Sequence, residues 1–113
     1  MLTQAIATLL TNAMNYTPTG GRVWIETASQ PPEWVTLTVR DTGLGITRNE
    51  LSQIFERFFR GTASRIVGNP GTGLGLAICQ EIIARQDGKL TVESTVGEGS
   101  TFTIWLPMQT RSE

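Results

Sequence analysis

The segment Gly71-Thr72-Gly73-Leu74-Gly75-Leu76 is the most informative stretch of this chain, because it places three glycines at alternate positions just before a helical pattern over Ala77 to Gln86. Glycine lets a backbone approach a ligand closely and adopt turns with positive φ. A helix that begins there directs free N–H groups and the positive end of its dipole outward, which suits phosphate. Glycine-rich turns before helices also occur without a ligand, so the remaining sequence has to decide between these interpretations.

The composition indicates one globular domain over residues 1–113. The chain is long enough for a single hydrophobic core, and its net charge of −1 does not favour nucleic acid as a partner. It has no histidine, so it cannot supply a histidine base or a phospho-accepting histidine. Its one cysteine, Cys79, falls within an apolar helical pattern, which favours a small core residue. No apolar run approaches the roughly 18 residues of a membrane span.

The apolar pattern predicts an α+β fold. Apolar residues follow helical spacing over 2–16, 47–54 and 77–86, and they alternate with polar residues over 23–27, 35–39, 90–92 and 102–106. On the first helix the apolar stripe consists of Leu2, Ile6, Leu9, Leu10 and Ala13. The order α, β, β, short α, loop, α, β, β predicts two antiparallel hairpins in one sheet, with helices on one face: a two-layer α/β sandwich.

Two polar side chains fall in phase with apolar strand residues. Asp41 continues the inward set that ends at Val39, and Ser100 is in phase with Phe102. A carboxylate aimed at a core is costly unless something hydrogen-bonds it. Asp41 therefore either faces a ligand or leaves the strand to cap the turn over 42–45, and the strand phase alone does not choose.

Two further stretches carry polar patterns. Thr8, Asn12 and Asn15 share the face of the first helix opposite its apolar stripe, which indicates either a solvated face or a functional one. The segment Phe55–Arg60 is aromatic and basic, and a glycine- and serine-rich loop follows over 61–73. A basic loop beside a possible phosphate cradle suggests a lid over a polyphosphate; the alternative is a surface connection with unrelated arginines.

The common phosphate-binding plans do not fit. A P-loop requires a lysine after its last glycine, and none follows Gly73 or Gly75. A dinucleotide fingerprint requires G-x-G-x-x-G after a strand, whereas here the spacing is G-x-G-x-G after an irregular loop. A protein-kinase glycine loop lies between strands, whereas this one opens a helix.

Five segments in order resemble a series of motifs, among them the N, G1, F and G2 boxes, in the ATP-binding catalytic domain of bacterial sensor histidine kinases. They are Thr11–Pro18 around Asn12, Asp41–Ile46, Phe55–Arg60, Gly71–Leu76 and Gly97–Phe102. The resemblance covers residues 2–107, and the aromatic-basic segment resembles histidine kinases rather than the gyrases, mismatch-repair ATPases and Hsp90-type chaperones of the wider group. It implies the Bergerat (GHKL) ATPase fold with a flexible ATP lid.

The resemblance also implies a base pocket. Asp41 would hold the adenine amino group, and Ser100 would reach adenine through water. The other residues that it places around the base are Tyr16, Gly43, Gly45, Ile46 and Leu76.

At the phosphate end, the resemblance implies that Asn12 coordinates Mg²⁺, which suits oxygen ligands. Arg60 would contact the γ-phosphate and stabilise charge during transfer, so Asn12 and Arg60 are the predicted catalytic residues. Arg57 is a weaker candidate for the phosphates, and Asn15 is placed near them. The cradle at the helix N-terminus would consist of Gly71, Thr72, Gly73, Leu74 and Gly75.

Three positions depart from the family pattern. Thr8 stands where a more polar group able to act on Mg²⁺ or its water is common, and a hydroxyl is a poor general base. Asn15 stands where a basic residue usually contacts the phosphates. Gln86-Asp87-Gly88 replaces a frequent His-Gly-Gly, a change that we interpret as structural.

The resemblance therefore predicts a cytoplasmic domain that binds Mg²⁺–ATP and donates the γ-phosphate to a histidine in a two-component phosphorelay. That histidine would lie on a separate helical dimerisation domain of the same kinase. The resemblance is compatible with a parent kinase anchored in a membrane. The full kinase would pass the phosphate to a response regulator. The family's first strand is also missing before Leu2, and the isolated domain is expected to be monomeric. The alternative is a nucleotide-binding scaffold with little or no kinase activity.

Overall fold

Residues 2–57, 59 and 75–108 are described by the structure, which is a computed structural model. The elements are helix α1 (Leu2–Tyr16), strands β1 (Val23–Gln30) and β2 (Trp34–Asp41), helix α2 (Arg48–Leu51), helix α3 (Gly75–Ala84), and strands β3 (Lys89–Thr95) and β4 (Gly99–Pro107). The predicted order of elements is confirmed in these residues. The predicted lid over 61–73 lies outside them.

The four strands form one antiparallel sheet in the order β1-β2-β4-β3. Each hairpin pairs its own two strands, and the hairpins join through β2 and β4 at the centre. Helices α1 and α3 pack against each other and lie on one face of the sheet. The predicted two-layer sandwich of the α+β class is therefore confirmed.

The core lies between the helix pair and the central strands. Its most deeply buried side chains come from every layer: Leu9, Cys79, Ile83, Val39 and Ile104. On α1 the buried line runs through Ala5, Leu9 and Ala13, whereas Ile6 and Leu10 from the predicted stripe are only partly buried. The small side chain of Ala5 lets α3 approach closely enough for the Cys79 thiol to lie 3.6 Å from the Ala5 carbonyl oxygen. Burial raises the pKa of that thiol to about 11, as expected for a core cysteine.

The short helix is shorter than predicted. The sequence indicates 47–54, but α2 ends at Leu51 and the chain continues in turns through Arg57. Thr47 is its N-cap and accepts a hydrogen bond from the backbone N–H of Glu50, at the capping-box spacing. Ile54 is buried in the core from the turn that follows, so its apolar character reflects burial rather than helix.

Helix α3 ends in a Schellman motif. The N–H of Gly88 donates to the carbonyl of Ile83, and that of Asp87 donates to Ala84. Asp87 occupies the left-handed position with φ of 62°. The predicted stop at Asp87-Gly88 is confirmed, and these residues terminate the helix, which agrees with the structural interpretation of this departure from the family pattern. None of the described helices combines the length and apolar character that crossing a bilayer requires.

Strand β1 is an edge strand and is less buried than its alternating pattern suggests. Val23 is half-buried, but Ile25, on the same face, is 43% exposed. On the face of the sheet away from the helices, Trp34 and Trp105 meet edge to face, and the Lys89 ammonium lies 5.2 Å and 5.0 Å from their ring centres. Cation–π contact thus covers part of the outer face at the end distant from Asp41.

Candidate nucleotide-binding site

One row of residues crosses all four strands at the end of the sheet where Asp41 lies. Asp41 pairs with Val23 on one side and with Ser100 on the other, and Ser100 pairs in turn with Ser94. Because side chains alternate along each strand, the members of such a row share one face, here the face toward the helices. Asp41 and Ser100 are both buried, as their strand phase predicts.

Asp41 is held by two backbone donors that bind the same oxygen. Oδ1 accepts from the N–H of Gly43 at 2.8 Å and from the N–H of Ser100 at 3.2 Å. The Gly43 bond caps the turn, as one of the two interpretations predicts, although Asp41 remains the buried last residue of β2. The ligand-facing interpretation stays a prediction. Within the described residues Oδ2 accepts no hydrogen bond, which leaves one carboxylate oxygen available to a ligand.

Burial controls the ionisation of Asp41. Loss of water around the carboxylate raises its pKa, and the hydrogen bonds from Gly43 and Ser100 offset only part of that rise. Oδ2 of Asp41 is thus able to accept a hydrogen bond from a donor other than the described residues, and a perturbed pKa of this kind is common at functional sites.

This pKa shift predicts how stability depends on pH. Because the pKa of Asp41 is higher in the folded chain than the ordinary 3.8, the folded state binds the proton more tightly. The contribution of Asp41 to the free energy of unfolding is therefore fully present below its unfolded pKa, and it is lost as the pH rises through its folded pKa. Asp41→Asn cannot ionise, so relative to the wild type it should gain free energy of unfolding over the pH range that begins near the unfolded pKa of 3.8 and extends upward through the raised folded pKa. Urea unfolding of both proteins across this range measures the difference; a difference that stays constant would contradict the shift.

The turn after Asp41 docks on the end of α1. The N–H of Leu44 donates to the carbonyl of Tyr16 at 3.1 Å, and a Cβ on Gly43 would overlap that same carbonyl oxygen. Glycine is therefore required at 43 for close approach rather than for an unusual φ. This contact brings the end of α1, with the half-buried Tyr16, beside the Asp41 turn.

The other side of the turn is attached to β3 and the loop that follows it. Gly45 has φ of 79°, and a Cβ there would overlap the carbonyl oxygen of Thr95. The N–H of Ile46 donates to the Ser94 hydroxyl at 2.7 Å, and the N–H of Gly97 donates to the Leu44 carbonyl at 3.0 Å. The turn is thus fixed at both ends, and Ile46 packs against the core beside it.

The site combines a buried aspartate, a glycine turn and a helix end on a four-stranded sheet. Residues 1–110 match the family of histidine kinase-, DNA gyrase B- and HSP90-like ATPases, and this match decides the family. The chain belongs to this ATPase family. The prediction made from the five sequence segments is confirmed at this level, and the domain corresponds to the catalytic ATPase domain of sensor histidine kinases.

Among curated relatives, the ATPase domain is 47% identical over 107 residues to the sensor histidine kinase RppB of Synechocystis sp., with 95% of this chain and 23% of the relative covered. It is 41% identical over 104 residues to the sensor protein SrrB of Staphylococcus aureus, with 92% and 18% covered. The chain thus spans less than a quarter of the length of these relatives.

Among solved structures, the ATPase domain is similar to the mycobacterial sensor histidine kinase MprB, with a TM-score of 0.83, 35% identity, and 92% of this chain and 70% of that chain covered. It is also similar to full-length ShkA in complex with AMPPNP, with a TM-score of 0.81 and 28% identity, covering 97% of this chain and 22% of that chain.

In the ATPase domain, the polar face of α1 meets the start of α3. A Cβ added to Gly75 would lie 3.3 Å from Cγ2 of Thr8, so the last glycine of the glycine-rich segment lies against α1. Asn12 is one turn further along the same helix face and is half-buried, with no hydrogen bond to any described residue. Asn15 is exposed. The structure therefore places the end of the glycine-rich segment against α1, one helical turn from Asn12.

The remaining predicted residues divide into two groups. Leu76 is partly buried and packs against the core, and Arg57 is exposed, with its guanidinium 3.8 Å from the Glu81 carboxylate of α3. Solvent screening keeps such an exposed pair weak, so Arg57 is not held in place by it. Arg60, Gly71, Thr72, Gly73 and Leu74 lie outside the described residues.

The prediction omitted Ser94 and Thr42. The Thr42 hydroxyl accepts from the N–H of Arg22 at 2.8 Å and so joins the turn to the start of β1. Ser94 follows Leu90 and Val92 in the inward phase of β3, which is the same signal that identified Ser100. For Thr42 the sequence carries no comparable signal, because its partner is a backbone group 20 residues away.

Proposed function

We propose that this ATPase domain binds Mg²⁺–ATP beside Asp41 and donates the γ-phosphate to a histidine on another domain. The observation that carries the proposal is the buried carboxylate of Asp41. Two backbone donors hold its Oδ1, and its Oδ2 accepts nothing from the described residues.

The adenine amino group is the ligand that suits Asp41. A buried acceptor without a donor is costly, and an exocyclic amino group supplies the missing donor. Tyr16 and Ile46 border the same turn and would contact the base, and Gly43 and Gly45 keep the backbone close enough to it. A rigid turn suits this role, because its donors do not have to be reoriented when the nucleotide binds.

The phosphates would extend from the base toward the face of α1 that carries Asn12. The Asn12 amide oxygen is not used by the described residues, and an amide oxygen is a fitting ligand for Mg²⁺, which takes few protein ligands and retains waters. When bound, Mg²⁺ neutralises charge on the phosphates during transfer. The glycine-rich segment ending at Gly75 would cradle the phosphates, and Arg60 would contact the γ-phosphate.

The histidine that accepts the phosphate has to come from another domain, since this sequence has none. A helical dimerisation domain of the same kinase would present it, and a response regulator would receive the phosphate afterwards. The Thr8 hydroxyl donates to the carbonyl of Gln4 at 2.9 Å, so it is not arranged as a base toward a water molecule. Hydrolysis of ATP by the domain alone should accordingly be slow.

Phosphotransfer to an added histidine tests this proposal. The domain, γ-labelled ATP and Mg²⁺ are mixed with a separately prepared helical phosphoacceptor domain of a related sensor kinase. At an ATP concentration near the wild-type Kd, we expect label on the acceptor histidine with the wild-type domain and far less with Asp41→Asn, because the variant should bind ATP about 100-fold more weakly. An acceptor whose histidine is replaced by glutamine is the control for the site of labelling.

A nucleotide-binding scaffold is the second candidate. It is favoured by Thr8, whose hydroxyl is committed to Gln4, and by Asn15, an exposed uncharged side chain in the predicted phosphate region. For this candidate we expect no labelled histidine in the phosphotransfer assay, but a rise in melting temperature when the domain is unfolded thermally with Mg²⁺–ATP. No thermal shift with the nucleotide would exclude both candidates.

A further inference from the structure

The Ser94 hydroxyl lies at the junction of three structural elements. It accepts from the N–H of Ile46 at 2.7 Å, donates to the carbonyl of Gly99 at 3.1 Å, and lies 2.8 Å from the hydroxyl of Ser100. Ser94 and Ser100 face each other across the β3–β4 ladder, and Ser100 pairs on its other side with Asp41. Ser94 thus joins the Asp41 turn to the hydroxyl next to Asp41.

Counting protons fixes the direction of these bonds. A serine hydroxyl has one proton and two acceptor lone pairs. The Ile46 N–H can only donate, and the Gly99 carbonyl can only accept. If Ser94 gave its proton to Ser100, its oxygen would lie 3.1 Å from the Gly99 oxygen with no proton between them. Ser94 therefore donates to Gly99, and the 2.8 Å contact requires Ser100 to donate to Ser94.

This assignment of protons determines which hydrogen bonds the Ser100 hydroxyl can make. Its only proton points away from Asp41, toward Ser94, so toward the site Ser100 offers lone pairs alone. Asp41, when ionised, also only accepts. The two side chains side by side in the row at this end of the sheet then present acceptors and no donor.

We propose that Ser94 is a specificity-determining positioning residue, which holds Ser100 as an acceptor so that the site selects a purine with an amino group at position 6 over one with a carbonyl oxygen there. The proposal rests on the proposed binding of ATP beside Asp41. Adenine offers a donor at this position, whereas hypoxanthine and guanine offer an acceptor. If a water molecule lies between Ser100 and the base, it must donate one proton to Ser100, which leaves it one proton fewer for a carbonyl oxygen at position 6.

Comparison of ATP with inosine triphosphate tests the proposal, since inosine has a carbonyl oxygen at position 6 and a proton on N1 where adenine has an amino group and an unprotonated N1. Both dissociation constants are measured with Mg²⁺ by titration calorimetry for the wild type and for Ser94→Ala. Without Ser94, the Ser100 hydroxyl can rotate and donate. The selectivity is expressed as the Kd for inosine triphosphate divided by the Kd for ATP. We expect this ratio to fall about threefold to tenfold in Ser94→Ala, as for one hydrogen bond gained or lost.

Two matched variants separate polarity from packing. Ser94→Thr keeps the hydroxyl and should retain the wild-type ratio. Ser94→Cys keeps the shape but has a weak donor and a weak acceptor, so it should lower the ratio, and it replaces Ser94→Ala if the alanine variant does not fold.

A double-mutant cycle with Ser100→Ala identifies the route of the effect. If Ser94 acts through Ser100, then Ser94→Ala should leave the ratio unchanged when Ser100 is already alanine. An unchanged ratio in the Ser94→Ala single variant, or an equal fall in the absence of the Ser100 hydroxyl, would overturn the proposal. Wild-type binding of ATP with an unchanged ratio would leave the proposed function intact, whereas no binding of ATP by the wild type would refute that function itself.

Discussion

Asp41→Asn should weaken the binding of Mg²⁺–ATP by roughly 100-fold. The asparagine Oδ1 can still accept from Gly43 and Ser100, so the turn and the strand end are retained. Its amide nitrogen replaces Oδ2 and brings N–H donors to the place where the adenine amino group also donates. The change removes a charge-assisted hydrogen bond and opposes two donors, with almost no change in shape.

Thermal or urea unfolding with and without nucleotide measures this effect. At a concentration about 100 times the wild-type Kd, the ligand should stabilise the wild type by about 2.7 kcal/mol. The same concentration would then only match the Kd of the variant, so its stabilisation should fall to about 0.4 kcal/mol.

A matched control is available in Asp87→Asn. It makes the same chemical change in the turn that ends α3, at an exposed position whose φ of 62° asparagine also tolerates. This variant should bind ATP as the wild type does. Equal stabilisation of Asp41→Asn and the wild type by ATP would rule out Asp41 as the adenine ligand.

Gly99→Ala should destabilise the folded domain by about 3 kcal/mol or more. Gly99 has φ of 128°, which an L-residue rarely adopts, and an added Cβ would overlap the carbonyl oxygen of Asp41 and lie 2.9 Å from the Cα of Thr42. Both are backbone atoms, one at the end of β2 and one in the turn that follows it, so neither can rotate away. Relieving the overlap requires β2 and β4 to separate at the point where the backbone N–H of Ser100 donates to the Asp41 carboxylate.

Gly97→Ala separates the strain of the backbone from the steric overlap. Gly97 has φ of 85°, and nothing lies within 4 Å of a Cβ added there. It should cost only the conformational term, about 1–2 kcal/mol. Urea unfolding of both variants measures the difference, and a Gly99→Ala variant as stable as Gly97→Ala would show that the strands adjust to the methyl group without loss. Since Gly99→Ala displaces Ser100, it should also impair ATP binding, which Gly97→Ala should leave intact.

Local sequence patterns were sufficient to predict the helices and strands and part of the candidate site. The period of two in β2 and β4 placed Asp41 and Ser100 on the inner face, and Asp87-Gly88 marked the end of α3, because these signals depend on neighbours only a few residues apart. The order of the five segments was sufficient for the family.

Burial by partners distant in sequence was not predictable in the same way. Ile25 has the pattern of a core residue, yet none of the elements that the structure describes covers the edge strand there, and it is 43% exposed. Ile54 extended the apparent helical pattern, although it is the core rather than a helix that holds it.

The sequence alone therefore determined which residues face inward and which family the chain belongs to, since strand phase and motif order are properties of the chain itself. Only the tertiary structure decided that Asp41, Ser100 and Ser94 form one row, and that both donors to Asp41 bind the same oxygen. The physical reason is that register across β2, β4 and β3 joins segments up to 59 residues apart, and a hydroxyl acquires a direction only when all its partners are in place.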